Sequence, residues 1–129
     1  MTTNPELLPV EAESAVRLVR RFYDLVDSGD ADGLAALFAP DALYRRPGYP
    51  PMVGPAGLLG FYGRDRTIRA GNHTLTNVLV DGAFVGVFGE FHGVLHSGDP
   101  VDLRFADSFT VRPDDLFADR DTYFFAPLV

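Results

Sequence analysis

The residue best suited to chemistry in this chain is Asp107. It lies in residues 104–111, whose alternating apolar residues predict a β-strand. Phe105 and Phe109 lie on one face of that strand, and Asp107 points the same way. An ionised carboxyl group without a partner is very costly on the apolar side of a sheet. Either a partner compensates the charge, or the group keeps its proton and donates a hydrogen bond in an apolar pocket. Both alternatives predict a site.

Further ionisable residues lie on the neighbouring predicted strands. Glu90 and His92 are two residues apart and share a face, as do Asp121 and Tyr123. In a carboxylate–imidazole pair, one group can be protonated and the other deprotonated near neutral pH, as general acid–base catalysis requires. The alternatives are a solvent-exposed strand edge for Glu90 and His92, and a surface ion-pair ladder for Asp121.

Other polar side chains have two interpretations each. Tyr23 and Tyr44 are hydrogen-bond donors in a pocket, or core tyrosines whose hydroxyl groups reach its rim. Arg46 pairs with Asp107, binds a substrate oxygen, or lies on the surface. His73, at the start of a predicted strand, is expected to be exposed. Because no histidine and carboxylate set has ligand spacing, we expect no metal site.

The composition excludes several classes of function. The 129 residues include no cysteine, which excludes thiol nucleophiles, and all 11 basic residues are arginine, which excludes Schiff-base lysines. The net charge of −7 argues against nucleic-acid binding. No apolar run reaches the roughly 18 residues of a membrane span, and the start lacks a secretory pattern. We therefore expect a cytoplasmic protein that meets neither nucleic acid nor membrane.

The elements that must position these residues are helices first and strands afterwards. Helical spacing predicts a helix over residues 10–26, a second one capped by Asp30 and a third one that begins at Gly54. Strands are predicted over residues 73–80, 83–96, 101–112 and 116–126. This order indicates one α+β domain over residues 1–129, with residues 1–9 as a loose arm. A curved sheet wrapped around the helices would leave a cone-shaped cavity that receives Asp107.

Several motifs carry a resemblance to a known family. They are Phe22-Tyr23, the turn Asp27-Ser28-Gly29-Asp30, the segment Leu37-Phe38-Ala39-Pro40-Asp41-Ala42, and the helix over residues 54–62. In this order they resemble the nuclear transport factor 2-like superfamily, in particular SnoaL-like polyketide cyclases, ketosteroid isomerases and limonene epoxide hydrolases. The resemblance implies a cone-shaped α+β barrel, with three N-terminal helices packed in a curved, mostly antiparallel sheet.

The resemblance to ketosteroid isomerases assigns roles to some positions. Asp107 falls where those enzymes have a protonated aspartate that stabilises the enolate. Their proton-abstracting aspartate falls on Arg46, which cannot shuttle protons at neutral pH. Their oxyanion tyrosine falls on Phe22, with Tyr23 one position away.

The resemblance to epoxide hydrolases uses different positions. Their tyrosine-x-asparagine pair matches Tyr44-Arg45-Arg46, and the aspartate of their last strand matches Asp121. An acid of their long middle strand matches Glu90. The family frame also places Glu90 and His92 on the cavity face, together with Phe88.

We therefore predict a cofactor-free enzyme that acts on a hydrophobic, oxygenated small molecule by cyclisation, isomerisation or epoxide opening. Asp107 would be the acid or oxyanion donor, and Glu90 or His92, with Asp121, would be the base or would position water. The substrate-binding residues would be Tyr44, Arg46, Tyr23, Phe22, Phe88, Phe105, Phe109 and Tyr123. The alternative is a non-catalytic ligand carrier or dimeric scaffold of the same fold. A homodimer is expected through an apolar patch on the outer sheet face, formed by Val85, Phe91, Leu95 and Leu103.

Overall fold

The computed structural model describes residues 7–126 of the chain, with side chains from residue 12 onward. The helices are α1 (Leu7–Asp27), α2 (Ala31–Ala35) and α3 (Gly54–Gly60), and α3 continues into a π-helical turn over Phe61–Asp65. The strands are β1 (Phe38–Arg45), β2 (Met52–Val53), β3 (Ile68–Asp81), β4 (Phe84–Leu95), β5 (Pro100–Val111) and β6 (Phe117–Phe124). Because α1 begins at Leu7, the predicted loose arm was too long, and its residues 1–6 lie outside the described residues.

The six strands form one sheet in the order β2-β1-β6-β5-β4-β3. Every neighbouring pair is antiparallel except β1 with β6, which run parallel. The sheet curls around the helices, so the predicted α+β barrel with a mostly antiparallel sheet is confirmed. Within the described residues, no helix is long and apolar enough to cross a membrane.

Helix α1 fills the interior of the curled sheet. Its buried residues recur at helical spacing, as predicted, and they include Val19, Phe22, Tyr23 and Val26. The Phe22 ring makes edge-to-face contacts with aromatic rings of three strands, Phe38, Phe109 and Phe117. This packing holds one face of α1 against the inner face of the sheet and leaves polar side chains between them at a few places.

The end of the third helix differs from the prediction. Ile68 was expected on the inner stripe of that helix, but it begins β3 and pairs with Leu95 of β4. The helix ends in a wider turn, and Arg66 then takes an extended backbone. Long-range pairing with β4 therefore overrides the local helical spacing in this segment. As a result, His73 lies inside a strand and not at its start.

The face of β4 that points inward was predicted wrongly. In the sheet, Val87 pairs with Asp107 and Gly89 pairs with Phe105, so the odd-numbered residues of β4 share the inner face with Asp107. Glu90 lies opposite Arg104 on the outer face. Both faces of β4 carry apolar residues, so alternation alone does not select one. The odd-numbered set carries no charge, and that is the set that the fold buries.

The predicted dimer patch is wrong for the same reason. Val85 and Phe91 are fully buried on the inner face, and Leu95 and Leu103 pack partly buried against the core. They are core residues and form no outer patch. The large apolar side chains exposed on the described strands are others, namely Val53, Leu79, Phe84, Phe88 and Tyr123.

Candidate active site

Asp107 lies inside the barrel, as predicted, with 2% of its surface exposed. Its carboxylate accepts a hydrogen bond from Arg120 Nη2 at 2.9 Å, which also forms an ion pair. Thr122 Oγ1 donates to it at 2.6 Å, and the hydroxyl group of Tyr23 donates to the same carboxylate. All of these donors favour the ionised form of the acid.

The protonation state of Asp107 follows from these contacts. Desolvation by burial acts to raise its pKa, but the Arg120 charge and the hydrogen bonds from Thr122, Tyr23 and Arg120 outweigh that effect, so the pKa is lowered. Of the two alternatives, the structure therefore has the compensated charge. An ionised carboxylate accepts hydrogen bonds and cannot act as a proton donor.

The partner, Arg120, is itself deeply buried. Its guanidinium group stacks on the rings of Phe22, Tyr44 and Phe109, with 4.5–5.5 Å between the guanidinium carbon and the ring centroids. Nη1 donates to the hydroxyl group of Tyr62 at 2.5 Å. Nε is buried and has no acceptor among the described residues. Burial acts to lower the pKa of Arg120, but Asp107 and the tyrosines raise it well above its ordinary value.

A chain of hydrogen bonds leads from Asp107 to β1. Thr122 Oγ1 lies 2.8 Å from the hydroxyl group of Tyr44, and Arg46 Nη1 donates to that hydroxyl group at 3.0 Å. Since Thr122 donates to Asp107, the Tyr44 hydroxyl group donates to Thr122. Arg46 is buried and also lies over the rings of Phe61 and Phe124, both at 5.0 Å. Burial raises the pKa of Tyr44, so this hydroxyl group stays protonated.

A second polar pair reaches the same interior from the end of α1. His73 Nδ1 lies 2.5 Å from Asp27 Oδ1, and the backbone N–H of His73 donates to the other carboxylate oxygen at 2.9 Å. The imidazole ring is surrounded by Tyr23, Phe91 and Phe105, with 4.7–5.4 Å between the ring centroids. The expectation that His73 is exposed is therefore wrong, because pairing with β4 turns it inward beside Phe91.

His73 and the Asp107–Arg120 pair line one small cavity between the π-helical turn after α3 and the inner face of the sheet. The cavity has a volume of about 20 Å³, room for about one water molecule. Its wall includes His73, Asp107, Arg120 and Thr122, with Arg46, Tyr62, Arg66, Ile68, Phe91, Leu103, Phe105 and Phe124 around them. Of the polar residues predicted for the site, Asp107 and Arg46 line this cavity. Tyr23 and Tyr44 are joined to the same cluster by hydrogen bonds. Phe22, Phe105 and Phe109 pack around them as predicted.

The structure does not bring the other predicted residues into this site. The side chains of Glu90 and His92 are 50% and 56% exposed, and His92 bonds Asp102 at 2.6 Å and Glu90 at 3.3 Å on the outer face. Phe88 and Tyr123 are also exposed on the outer face, so they are not walls of the interior cavity. The positions on the inner face of β4 that were predicted for Phe88 and Glu90 are taken by Val87 and Gly89.

Asp121 also faces outward. It forms an ion pair with Arg45 at 2.8 Å, between neighbouring strands β6 and β1. The prediction of a catalytic acid at this position is therefore not supported by the geometry, and the surface ion pair is found instead. Alternation on β6 turns Arg120 and Thr122 inward when Asp121 points out.

Sequence reasoning missed Asp27, His73, Arg120 and Thr122. For Arg120 and Thr122 a signal existed. They alternate along the last strand with Asp121 and Tyr123, so if those two face outward, Arg120 and Thr122 must face inward. For the other pair no local signal exists, since Asp27 and His73 are brought together only by the packing of α1 against β3. No cluster of potential metal ligands is found in the part of the chain that the structure describes.

Comparisons with known proteins agree with this architecture. A family model described as a SnoaL-like domain matches residues 19–120. Among curated proteins, none matches the chain.

Several solved structures share the fold. A candidate polyketide cyclase from Xanthomonas campestris pv. campestris is 25% identical, with a TM-score of 0.72 and coverage of 86% of this chain and 90% of that one. An epoxide hydrolase of the LEH-like type from M. tuberculosis is 20% identical, with a TM-score of 0.76 and coverage of 88% and 84%. A protein from Catenulispora acidiphila with a ketosteroid isomerase-like fold, solved in complex with trimethylamine, is 20% identical, with a TM-score of 0.75 and coverage of 82% and 83%.

Proposed function

Because this chain belongs to the SnoaL-like domain family, we propose that it is a cofactor-independent acid–base enzyme for a hydrophobic, oxygenated small molecule. Its structural neighbours include a candidate polyketide cyclase and an epoxide hydrolase. The observation that carries the proposal is the joint lining of one interior cavity by His73, whose imidazole bonds Asp27, and by the Asp107–Arg120 pair. A base and a cationic group for a developing oxyanion would then face the same small volume.

The proposed base is His73. The Asp27 carboxylate would accept a hydrogen bond from Nδ1–H of the neutral imidazole, and the lone pair would then be on Nε2. Asp27 would hold the ring in this tautomer and stabilise the imidazolium ion that forms after proton transfer. A carboxylate that orients an imidazole in this way is a common arrangement for general base catalysis.

The proposed oxyanion stabiliser is Arg120. Its guanidinium group lies in an apolar, aromatic environment, where a positive charge acts on a developing negative charge more strongly than in water. Asp107 would serve as a positioning residue, because it fixes one edge of the guanidinium group and accepts a hydrogen bond from the Tyr23 hydroxyl group. The role of proton donor, first predicted for Asp107, does not fit its lowered pKa.

The same groups serve the three reactions under consideration. In an isomerisation or cyclisation, His73 would take a proton from the carbon next to a carbonyl group, and the electron pair would move to the carbonyl oxygen near Arg120. In epoxide opening, His73 would take a proton from a water molecule as its oxygen attacks a ring carbon, and the epoxide oxygen would carry the negative charge. The cavity of about 20 Å³ implies that wall side chains move when a substrate binds.

The proposal is tested with small probes in isotopic solvents. A set of β-diketones and β,γ-unsaturated ketones in D₂O would report carbon–hydrogen exchange by NMR, and simple epoxides in H₂¹⁸O would report opening by mass spectrometry. We expect catalysis of at least one reaction by the wild-type protein and a loss of about 10²-fold or more in His73→Gln. The matched control is Glu90→Gln on the outer face, which should retain the wild-type rate. Absence of catalysis with every probe, or equal rates in His73→Gln, would contradict the proposal.

A second candidate is a non-catalytic ligand carrier. It is favoured by the compensation of Asp107, since a buried carboxylate that is paired with Arg120 and bonded by Thr122 also fits a structural role. A carrier would bind small apolar ketones with the same affinity in the wild type and in His73→Gln, and it would exchange no protons. Calorimetric titration of both proteins with the same ketones separates the two candidates.

Homodimerisation and a cytoplasmic location remain predictions. The outer sheet face is the favoured interface, because exposed Phe88, Tyr123 and Phe125 lie around a groove of about 610 Å³. Sedimentation equilibrium should give a dimer for the wild type and a monomer for Phe88→Glu. A monomeric wild type at micromolar concentration would remove this prediction.

A further inference from the structure

A second cavity lies next to the interior one and carries basic side chains. It has a volume of about 250 Å³ and lies between the end of α1, the π-helical turn and the start of β3. The basic residues that line it are Arg64, Arg66, Arg69 and His96, and the apolar ones include Val26, Leu34 and Ile68. Such a concentration of basic groups is notable in a chain with a net charge of −7.

Arg66 lies at the boundary between the two cavities. Together with Tyr62 and Ile68 it lines both the larger cavity and the interior one that holds His73 and Asp107. Its place is set by the end of the π-helical turn, where its backbone N–H donates to the carbonyl of Phe61 at 3.0 Å. A group bound at Arg66 would therefore sit at the mouth of the interior cavity.

The guanidinium group of Arg66 has no direct ion-pair partner among the described residues. Its guanidinium group lies over the Tyr62 ring at 5.1 Å, but it forms no hydrogen bond or ion pair with any side chain that the structure describes. The carboxylate of Asp27 attracts Arg66 through space but makes its direct contacts with His73. Desolvation by burial lowers the pKa of Arg66 from its ordinary value. A partly buried cation that no carboxylate contacts directly is costly, unless a ligand supplies that contact.

The other basic groups of the cavity are more exposed. Arg64 pairs with Asp65 at 2.8 Å, whereas Arg69 and His96 have no ion pair within the described residues. They would attract an anion toward the cavity but would hold it only weakly, because exposed charges are screened by solvent. The strong contact is therefore expected at Arg66.

We propose that this cavity binds a small organic carboxylate, whose anionic group pairs with Arg66 while its apolar part contacts Val26, Leu34 and Ile68. The volume, slightly below the range of about 300–1,000 Å³ for drug-sized ligands, suits a molecule of one ring. The planar guanidinium group can bind a carboxylate with two parallel hydrogen bonds. If the cavity is a substrate subsite, the inference rests on the proposed function. The substrate of the proposed enzyme would then carry a carboxylate.

The test is a titration with matched probes, in which calorimetry and NMR measure the binding. Benzoate and trans-cinnamate carry the anionic group, and benzamide and cinnamamide are their neutral counterparts. We expect saturable binding of the carboxylates and affinities about tenfold or more weaker for the amides, since a hydrogen bond to a charged group is lost. Shifts of the Arg66 and Ile68 signals should accompany carboxylate binding.

Three variants assign the binding to Arg66. Arg66→Gln should lose about tenfold or more of the carboxylate affinity, and Arg66→Lys, which keeps the charge but not the planar group, should lose less. The control is Arg17→Gln on α1, which makes the same change in net charge at an exposed site and should bind like the wild type. Melting temperatures provide a second readout. Arg66→Gln should be as stable as the wild type or more stable, because it removes a desolvated cation that no carboxylate contacts directly.

The results that would overturn the inference are distinct from a failure of the proposed function. Absence of saturable carboxylate binding, equal binding by the amides, or equal affinity in Arg66→Gln would each refute the site. A loss of affinity in Arg17→Gln as large as that in Arg66→Gln would refute it as well. Carboxylate binding at Arg66 without exchange or epoxide opening would refute the proposed enzyme and leave the binding site standing.

Discussion

Replacing Asp107 by asparagine should strongly destabilise this protein. The substitution leaves the Arg120 guanidinium group, which is 3% exposed, without its counter-charge. Breaking a buried ion pair by removing one partner costs about 3–5 kcal/mol. Small domains have free energies of unfolding of about 5–15 kcal/mol, so the loss would be a large share of the total. Thr122 and Tyr23 donate to different oxygens of Asp107, and asparagine keeps only one acceptor oxygen, so the substitution removes the charge together with one hydrogen-bond acceptor.

A double substitution separates the charge from the other contacts. In Asp107→Asn with Arg120→Gln, both charges are gone and two amides can still exchange hydrogen bonds. We expect the double variant to be more stable than Asp107→Asn alone, by about 2 kcal/mol or more, because no unpaired charge remains buried. Arg120→Gln alone should be destabilised like Asp107→Asn, since it leaves the carboxylate unpaired.

The free energies of unfolding are measured by urea denaturation. Far-ultraviolet circular dichroism is the signal, because the chain has no tryptophan for fluorescence. A cost below about 1 kcal/mol for Asp107→Asn would refute the reasoning, since that is the range of an exposed pair. A double variant whose cost equals the sum of the two single costs would also refute it, because independent sites add.

The dependence of this effect on pH has a definite sign. Burial acts to raise the pKa of Asp107, but Arg120 and the hydrogen bonds lower it overall. The stabilisation is therefore fully present above the pKa of an unfolded aspartate, near pH 4, and it is lost as the pH falls through the lower pKa of the folded state. The difference in stability between the wild type and Asp107→Asn should be constant from pH 7 to about pH 5 and should shrink below about pH 4.

Three further predictions concern single side chains, each measured by urea denaturation. Tyr44→Phe should cost about 1–3 kcal/mol, because buried Thr122 and Arg46 lose a hydrogen-bond partner, and no change would contradict the hydrogen-bond chain. Gly89→Ala should cost roughly 1–3 kcal/mol, because a Cβ there would lie 2.4 Å from the carbonyl oxygen of Thr74, and a neutral result would contradict the close packing of β3 on β4. Asp121→Asn should change stability by less than about 1 kcal/mol, as expected for a surface ion pair, and a large loss would indicate a buried role.

Much of the fold could be predicted from the sequence. The helical spacing of Val19, Phe22 and Val26 indicates a buried helix, and the strand–turn order after Ala70 indicates an antiparallel sheet. These patterns depend on residues close together in the chain, where local geometry decides which side chains share a face. The end of α3 was less predictable, because Ile68 fits a helical stripe locally and joins β3 only when β4 is present.

The candidate site divides in the same way. The chain by itself determined that Asp107 faces the apolar interior, because the alternation on β5 is unambiguous and an acid among phenylalanines requires a partner. Which partner it has, Arg120, and which imidazole lies near it as the proposed base, His73, were decided only by the tertiary structure. The inward face of β4 follows from its pairing with β5, and the Asp27–His73 contact follows from the packing of α1 against β3. Both depend on distances between segments that are remote in the chain, and no local pattern of residues encodes such distances.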